Sequence, residues 1–255
     1  NGLRYFVPTG KQEEFISSIG SGDKFIGIFS GGNRAGKTCL EIATLGNIVF
    51  GQQNKWFDYP LFRDWKYSKK ARIGTTPKNL EEIGAIHSNI NEWWKPELYE
   101  ASKQGKTYNS LYKTSTGWTI DLMSYEQSVT EWESAQLGLV IFDEPPPQDI
   151  FEATVARLAD GGMILVFMTP LSFAGYLFDD LLTKPVEKVT VTYCDIEDSC
   201  TEHGIRGFRQ HEHIANMISF LDPDEKEARA HGTPTHLSGR VYKNFDEKIH
   251  IVDNR

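Results

Sequence analysis

The stretch that decides the fold is Phe25–Thr38, which reads Phe-Ile-Gly-Ile-Phe-Ser-Gly-Gly-Asn-Arg-Ala-Gly-Lys-Thr. It begins with a short apolar run, rich in β-branched and aromatic residues, that predicts a buried strand. Its second half fits the pattern Gly-x-x-x-x-Gly-Lys-Ser/Thr, and Cys39–Val49 then carries apolar residues at helical spacing. A strand, a glycine-rich loop and a helix in this order predict a phosphate-binding loop, and therefore an NTP-binding protein.

The residue types in this loop suit a bound triphosphate. Glycines allow backbone N–H groups to close around a phosphate, and the start of the following helix adds a favourable dipole. Lys37 supplies a point charge for the β- and γ-phosphates, and the hydroxyl of Thr38 is a ligand for Mg²⁺. We therefore expect ATP and Mg²⁺ as the cofactors. The residues predicted to contact the nucleotide are Gln12, Gly31, Gly32, Asn33, Arg34, Ala35, Gly36, Lys37, Thr38 and Cys39.

Gln12 precedes the loop in a predicted helix, Gln12–Ile19. A side-chain amide both donates and accepts, which suits the edge of adenine, and several nucleic-acid motors carry a base-reading glutamine at this distance before the loop. A glutamine on the surface of a helix explains the residue almost equally well. Both interpretations remain open at this point.

The stretch Leu137–Glu144, Leu-Gly-Leu-Val-Ile-Phe-Asp-Glu, predicts a second buried strand that ends in two acids. With a phosphate loop upstream, this is the pattern of a Walker B motif. Asp143 is expected to hold the Mg²⁺ and Glu144 to orient and polarise the attacking water. The alternative is an apolar strand that merely ends in charged residues.

Three further residues are candidates for the chemistry. The strand Met163–Met168 ends at Thr169, whose hydroxyl can bond the γ-phosphate or its water and sense hydrolysis. Charge develops on the transferred phosphoryl group, so an arginine is expected nearby. Arg34 is a candidate that acts in cis, and Arg157 one that reaches the nucleotide of a neighbouring subunit. For each arginine the alternative is an ordinary surface salt bridge.

The composition bounds the class of protein. The chain of 255 residues carries a net charge of −8, which excludes a generally basic surface but not a local patch for nucleic acid. The densest basic stretch, Trp65–Arg72, predicts a solvated loop, or alternatively a contact with a phosphate backbone. The three cysteines have no metal-ligand spacing and are expected to be reduced. His211, His213, His231 and His236 are expected to be exposed histidines and not metal ligands.

Strands that alternate with helices predict an α/β fold, with a mostly parallel sheet flanked by helices. We expect a P-loop ATPase core in residues 1–175 and a small lid-like portion in residues 176–255. Ser110–Ser124 predicts a β-hairpin with its turn at Ser115–Gly117. The remaining predicted strands are Ala71–Thr75 and Val189–Tyr193, and the remaining predicted helices are Pro77–Ile90, Phe151–Leu158 and Leu221–His231.

With these residues identified, the chain resembles the ATPase domain of the large terminase subunits of tailed phages. The resemblance runs from Pro8 to Phe245 and is carried by these stretches: Gly-Gly-Asn-Arg-Ala-Gly-Lys-Thr (31–38), Ser-Tyr-Glu-Gln (124–127), Phe-Asp-Glu-Pro-Pro (142–146), Thr-Pro-Leu (169–171) and Ser-Gly-Arg-Val-Tyr (238–242). The arginine inside the phosphate loop is the most specific feature, because a generic phosphate loop does not require one.

The resemblance implies a P-loop NTPase of the additional-strand, catalytic-glutamate type that translocates DNA. Its implied partners are double-stranded DNA, a portal protein, a small terminase subunit and further copies of itself in a ring, in the host cytoplasm. A nuclease domain is expected to follow residue 255, and residues 176–255 would contain the start of a linker toward it. No DNA cleavage is expected from this chain.

The sequence departs from the family at one functional position. Relatives often carry an arginine directly after the stretch that matches residues 124–127, where this chain has Ser128-Val129-Thr130. Arg157 is therefore only a substitute candidate for the arginine that acts in trans. Two other functions stay open: a helicase-like DNA-dependent ATPase, and a non-catalytic module whose assembly depends on NTP.

Overall fold

The computed structural model describes residues 2–82, 84–171, 175–181 and 187–234, and within these a single eight-stranded sheet organises the chain. The strands are β1 (Ile26–Gly31), β2 (Lys70–Thr75), β3 (Tyr99–Ser102), β4 (Leu111–Thr114), β5 (Thr119–Ser124), β6 (Leu139–Asp143), β7 (Met163–Met168) and β8 (Val189–Cys194). The α-helices are α1 (Gly10–Ile19), α2 (Lys37–Val49), α3 (Pro60–Arg63), α4 (Ala85–Trp93), α5 (Val129–Trp132), α6 (Gln148–Ala156), α7 (Gly175–Leu181), α8 (His211–Ser219) and α9 (Lys226–His231). None of the helices in this part of the chain is long and apolar enough to cross a membrane.

The strand order is β3-β4-β5-β2-β6-β7-β1-β8. Across the sheet, every neighbouring pair from β5 through β2, β6, β7 and β1 to β8 is parallel. Strands β3 and β4 lie at the other side of β5 and pair antiparallel. The strand before the phosphate loop, β1, therefore lies between β7 and β8, and the acidic strand β6 is separated from it by β7 alone. Since parallel strands end at the same edge of a sheet, the ends of β1, β2, β6 and β7 face one site.

The central strands are buried on both faces, which explains their continuous apolar runs. Successive residues alternate between two cores. Ile141 and Leu165 belong to the core that includes α1 and α2, whereas Val140 and Ile164 belong to the core that includes α6 and α7. The predicted α/β class with helices on both faces is thus confirmed.

Most predicted elements are confirmed, but two predicted helices are wrong in detail and several elements have no counterpart in the predictions. The helix expected over Pro77–Ile90 is a π-helical turn, Lys78–Glu82, followed by the separate helix α4. Gly84 precedes α4 with a φ of 60°, a left-handed conformation that interrupts a continuous helix. The charged helix expected from Leu221 begins only at Lys226. The elements without a prediction are β3, α3, α5, α7 and α8.

The predicted division between residues 1–175 and 176–255 remains a prediction. Strand β8 lies after residue 175 but pairs with β1 from Ile26 to Gly31, so the sheet itself extends beyond that boundary. The stretch 238–242, which carries part of the family resemblance, and His236 lie outside the described residues.

An ion pair between a buried arginine and an aspartate whose side chain is 31% exposed fastens β2 to β5. The side chain of Arg72 is 2% exposed, and its guanidinium donates to Oδ2 of Asp121 (2.8 and 3.0 Å) and to the carbonyl of Trp132 (2.6 Å). The same guanidinium lies over the Trp132 ring. Arg72 is therefore part of the core, and the alternative that the basic stretch Trp65–Arg72 contacts a phosphate backbone is wrong for this residue.

We predict that Asp121→Ala lowers the free energy of unfolding by about 3 kcal/mol, because it leaves a buried guanidinium without its counter-charge. Urea titration measures the change. Asp58→Ala, which removes the partner of Arg63 in an exposed pair, serves as the control and should change the stability little. Equal effects of the two substitutions would contradict the role of the Arg72–Asp121 pair.

Candidate active site

The phosphate loop requires glycine at two positions. Gly36 has a φ of 81° and directly precedes α2, and a Cβ there would lie 2.7 Å from Nε2 of Gln12. At Gly32, a Cβ would collide with the carbonyl oxygen of Ala230, so helix α9 packs directly against the loop. The N–H of Asn33 donates to the carbonyl of Arg229 (2.6 Å) in the same contact. The loop is therefore supported from α9 as well as from β1.

Lys37 joins the loop to the end of β7. Its ammonium donates to the carbonyls of Gly31 (3.2 Å) and Gly32 (3.0 Å) and to the hydroxyl of Thr169 (2.8 Å). Burial lowers the pKa of Lys37, while the nearby charges of Glu144 and Asp143 oppose that shift. The cation predicted for the phosphates therefore faces the two acids of the Walker B strand.

Glu144 is held by the same threonine. Its Oε2 accepts from the N–H of Thr169 (2.8 Å), and its backbone has a φ of 69°, in the left-handed region. The hydroxyl of Tyr125 lies within hydrogen-bond distance of the carbonyls of Glu144 (2.7 Å), Asp143 (3.2 Å) and Gly74 (2.9 Å), and so supports this turn of the chain. Burial raises the pKa of Glu144, and the charge of Lys37 opposes the rise.

Asp143 ends β6 and is 4% exposed. Its Oδ2 accepts from the hydroxyl of Thr75 (2.8 Å) and from the amide of Asn79 (2.9 Å). Burial raises the pKa of this carboxyl, whereas the two hydrogen bonds and Lys37 act in the opposite direction. The side chain of Asp143 is thus fixed in orientation by groups at the end of β2.

Glu41 is a fourth ionisable group at this site, and the sequence motifs do not predict it. It is fully buried on α2, and its two carboxylate oxygens have no hydrogen-bond partner among the described residues. Burial raises its pKa well above the ordinary value, and the charges of Asp143 and Glu144 raise it further. A signal is present in the sequence, because Glu41 follows Lys37 by one helical turn and so lies on the same face of α2.

Thr75, Asn79 and Tyr125 are further members of the site that the motifs do not predict. Thr75 ends a predicted strand in the same way as Thr169, so the argument made for Thr169 applies to it as well. Asn79 lies in the turn after that strand, where no sequence pattern fixes its direction. Tyr125 lies in a stretch that supports the family resemblance, but its bonds to the Walker B backbone depend on the tertiary structure.

Four of the predicted site residues lie apart from the group around Lys37. Three of them, Gln12, Arg34 and Cys39, lie on or beside the phosphate loop. Gln12 is buried beneath the loop, accepts from the N–H of Thr9 (3.0 Å) and donates to the carbonyl of Gly36 (3.2 Å). Arg34 is exposed on the outer side of the loop and lines a cavity of about 220 Å³. Cys39 is half-buried, with its Sγ 3.8 Å from Oδ1 of Asn89 on α4.

Arg157, the fourth of these residues, lies at the opposite edge of the sheet. Its carbonyl accepts from the N–H of Leu137, just before β6 begins, and its guanidinium donates to the carbonyl of Glu133. Strand β6 therefore separates Arg157 from the acids at its other end, and the structure does not bring this arginine to the site of its own chain.

The donor set suits a magnesium-bound triphosphate. The hydroxyl of Thr38, next to Lys37 at the start of α2, and the carboxylate of Asp143 are the hard oxygen ligands that Mg²⁺ prefers. The carboxyl group of Glu41, whose oxygens have no hydrogen-bond partner among the described residues, interacts electrostatically with Asp143 and Glu144. A glycine-rich loop at a helix N-terminus and a largely buried lysine provide for the phosphates. With the parallel sheet, this arrangement defines a P-loop NTPase.

Comparison with known proteins finds relatives among phage terminases. The chain is 32% identical to the terminase large subunit of Salmonella phage P22, over 97% of this chain and 54% of that protein. Its fold matches the large terminase of a thermophilic bacteriophage with a TM-score of 0.66 and 15% identity, over 97% of this chain and 58% of that one. Another crystal form of that terminase, in complex with ADP, matches with a TM-score of 0.64 and 16% identity, over 96% and 58%. The chain is a homologue of a phage terminase large subunit over nearly its whole length, and its fold matches the ATPase domain of a phage large terminase.

A second kind of relative matches a smaller part of the chain. The glucose-6-phosphate isomerase of Staphylococcus epidermidis is 31% identical over 56% of this chain and 29% of its own length. The similarity to the terminase extends over nearly the whole chain and agrees with the fold match. We therefore base the interpretation of the chain on the terminase and not on the isomerase. The chain spans about half the length of the P22 subunit and less than a third of the isomerase. No family model matches the chain.

We predict that Glu41→Gln stabilises the fold at neutral pH by about 1–3 kcal/mol, because a neutral amide avoids the cost of the unpaired acid. The folded-state pKa of Glu41 is raised above the ordinary value of 4.5. Below pH 4.5, Glu41 is protonated in both the folded and the unfolded wild-type protein. As the pH rises above 4.5, Glu41 ionises first in the unfolded protein, so the wild type loses stability.

The advantage of the variant should accordingly be small at acidic pH and grow toward neutral pH. Urea titrations across this range, without nucleotide or divalent cation, measure it. Glu100→Gln, at an exposed position of β3, is the matched control. A gain for Glu41→Gln that is independent of pH would contradict the assignment of the shift to Glu41.

Proposed function

We propose that this chain is the ATP-hydrolysing motor domain of a phage large terminase, and that it translocates double-stranded DNA into procapsids. The observation that carries the proposal is the bonded group Lys37–Thr169–Glu144 beside Asp143. It joins the phosphate loop, the acidic strand and a strand-end hydroxyl at one edge of the sheet. The ADP complex of the thermophilic phage terminase supports nucleotide binding by this fold.

The residues divide the chemistry between them. The loop Gly31–Thr38 binds the phosphates of ATP, with Lys37 at the β- and γ-phosphates. Thr38 and Asp143 would hold Mg²⁺, which supplies positive charge against the charge that develops on the phosphoryl oxygens. Glu144 accepts a proton from the attacking water and orients it toward phosphorus.

Thr169 is proposed to report hydrolysis. Its hydroxyl accepts from Lys37 while its N–H donates to Glu144, so it contacts both the phosphate-binding and the water-activating side chains. Departure of the γ-phosphate changes the charge that faces Lys37. Because the hydroxyl of Thr169 accepts from Lys37, this change would alter the hydrogen bonding of Thr169. Strand β7 then links the response to the rest of the sheet.

The arginines are assigned by position. Arg34, within the loop, is proposed to act in cis on the charge of the γ-phosphate. Arg157, at the opposite sheet edge, can serve only a neighbouring subunit whose nucleotide site approaches that edge. Gln12 and Cys39 are proposed as supports of the nucleotide pocket, with a contact between Gln12 and adenine as the remaining prediction for that residue.

The proposed partners follow from the homology to the P22 subunit. They are double-stranded DNA, a portal protein, a small terminase subunit and further copies of the chain in a ring, within the cytoplasm of an infected bacterium. The net charge of −8 makes us expect weak DNA binding by the isolated chain.

We predict that Glu144→Gln binds ATP but hydrolyses it at least ~10²-fold more slowly, because the amide cannot take a proton from water. The amide oxygen still accepts from the N–H of Thr169, so the fold should persist. Phosphate release and ATP binding are measured in parallel. Glu152→Gln, an exposed glutamate on α6, is the control. Near-normal turnover by Glu144→Gln would remove Glu144 from this role.

We predict that phosphate release by the chain rises with double-stranded DNA and that DNA binding falls steeply with salt, since backbone contacts release counterions. The assay is run with and without duplex, alongside a strand-separation assay. Negligible turnover under every condition would favour an assembly module, and strand separation would favour a helicase. Binding that is unchanged at high salt would contradict contacts with the DNA backbone.

A further inference from the structure

Cys200, His203 and His211 come together in the segment that joins β8 to α8. The Sγ of Cys200 lies 3.8 Å from Nδ1 of His211, and the ring centroids of His203 and His211 are 4.8 Å apart. One potential ligand atom from each of the three residues lies within 4.8 Å of the other two. This cluster is separate from the group around Lys37.

Backbone hydrogen bonds bring the cluster together. The N–H of Phe208 donates to the carbonyl of Ser199 (2.8 Å), and the N–H of Thr201 donates to the carbonyl of Arg209 (2.8 Å). A Cβ on Gly207 would collide with the carbonyl oxygen of Cys200, so only glycine permits this close return of the chain. The three side chains therefore converge because the backbone closes a loop, and not through the choice of a rotamer alone.

We propose that Cys200, His203 and His211 bind one Zn²⁺ ion. A thiolate and imidazoles are the donors that zinc prefers, and three protein ligands with one open position are an established zinc arrangement. Bonds of about 2.3 Å to sulfur and 2.0–2.1 Å to nitrogen place tetrahedral donors roughly 3.5 Å apart. The observed Sγ–Nδ1 distance of 3.8 Å is close to this value, and separations of up to 4.8 Å within the cluster would shorten by about 1 Å on binding.

The surroundings of the cluster fit a metal site. Oε2 of Glu197 lies 3.4 Å from Nδ1 of His203, the position of the outer carboxylate that orients a zinc-bound histidine, which leaves Nε2 for the ion. The N–H of Glu202 donates to Sγ of Cys200 (3.4 Å) and fixes the position of the sulfur. Cys200 is buried, whereas the side chain of His203 is 46% exposed, so the fourth position opens toward water.

The ion would fix the segment 200–211 onto the nucleotide site. Arg209 in this segment donates from Nε to the carbonyl of Arg34 (3.0 Å), and Phe208 lies 3.6 Å from the place of a Cβ on Gly36. The carbonyl of Ile205 accepts from the N–H of Gly10 at the start of α1 (2.9 Å). The zinc, with water as its fourth ligand, would therefore clip the segment to α1 and to the outer side of the phosphate loop.

The test measures zinc directly in the whole chain. The protein is loaded with Zn²⁺, dialysed against a weak chelator and analysed by mass spectrometry, and its affinity is measured by competition with a zinc indicator. We expect one zinc per chain, and a loss of affinity greater than ~100-fold in His203→Asn and His211→Asn, since each removes a direct ligand. Glu197→Gln should lose ~10–100-fold, as an outer carboxylate does.

His213→Asn is the matched control, because His213 is an exposed histidine on α8 outside the cluster. It should bind zinc as the wild type does. Cobalt gives a second measurement, since a cysteine ligand produces a charge-transfer absorption that Cys200→Ser should abolish. Circular dichroism verifies that each variant is folded. Less than stoichiometric zinc in the wild type, or unchanged affinity in both His203→Asn and His211→Asn, would overturn the proposal.

Discussion

The interaction on which the structure depends is the meeting of a largely buried ammonium at the start of α2 with two largely buried carboxylates at the end of β6. Burial alone lowers the pKa of Lys37 and raises those of Asp143 and Glu144, so each group would tend to lose its charge. Their mutual attraction opposes all three shifts. The charged state of the site therefore exists only while the sheet holds the three groups together.

The topology of the sheet satisfies this requirement. Strand β7 lies between β1 and β6, and Thr169 at its end bonds to Lys37 on one side and to Glu144 on the other. A slip of one residue in the pairing of β7 would point the wrong side chains at both partners, because side chains alternate along a strand. Strand β7 is apolar throughout and buried on both faces. Its pairing with β1 and β6 fixes its register. The packing that buries β7 therefore also sets the geometry of the site.

This central part is predictable from the sequence, because buried parallel strands require apolar runs and the phosphate loop requires glycine, lysine and a hydroxyl at fixed spacing. Residues further out are less predictable, because their partners come from the tertiary structure. The amide of Gln12 suits adenine, yet backbone groups engage it beneath the loop. The spacing of Cys200, His203 and His211 matches no common zinc pattern, and a backbone return at Gly207 makes them neighbours. Distance along the chain is a poor guide wherever a glycine permits such a return.

Glu41, one helical turn after Lys37, connects the charge balance of the site to its ligands. Asp143, Glu144 and Glu41 interact as like charges, and Lys37 compensates only part of this repulsion. Without a further cation, burial and the charges of Asp143 and Glu144 raise the pKa of Glu41 and so disfavour its ionised form. A divalent cation on Asp143 would favour the ionised form of Glu41, and by reciprocity the ionised form would favour the cation. Glu41, whose burial without a partner costs the fold stability, would thereby favour a cation at the phosphate end of α2, and this coupling would give the unpaired acid a place in the site.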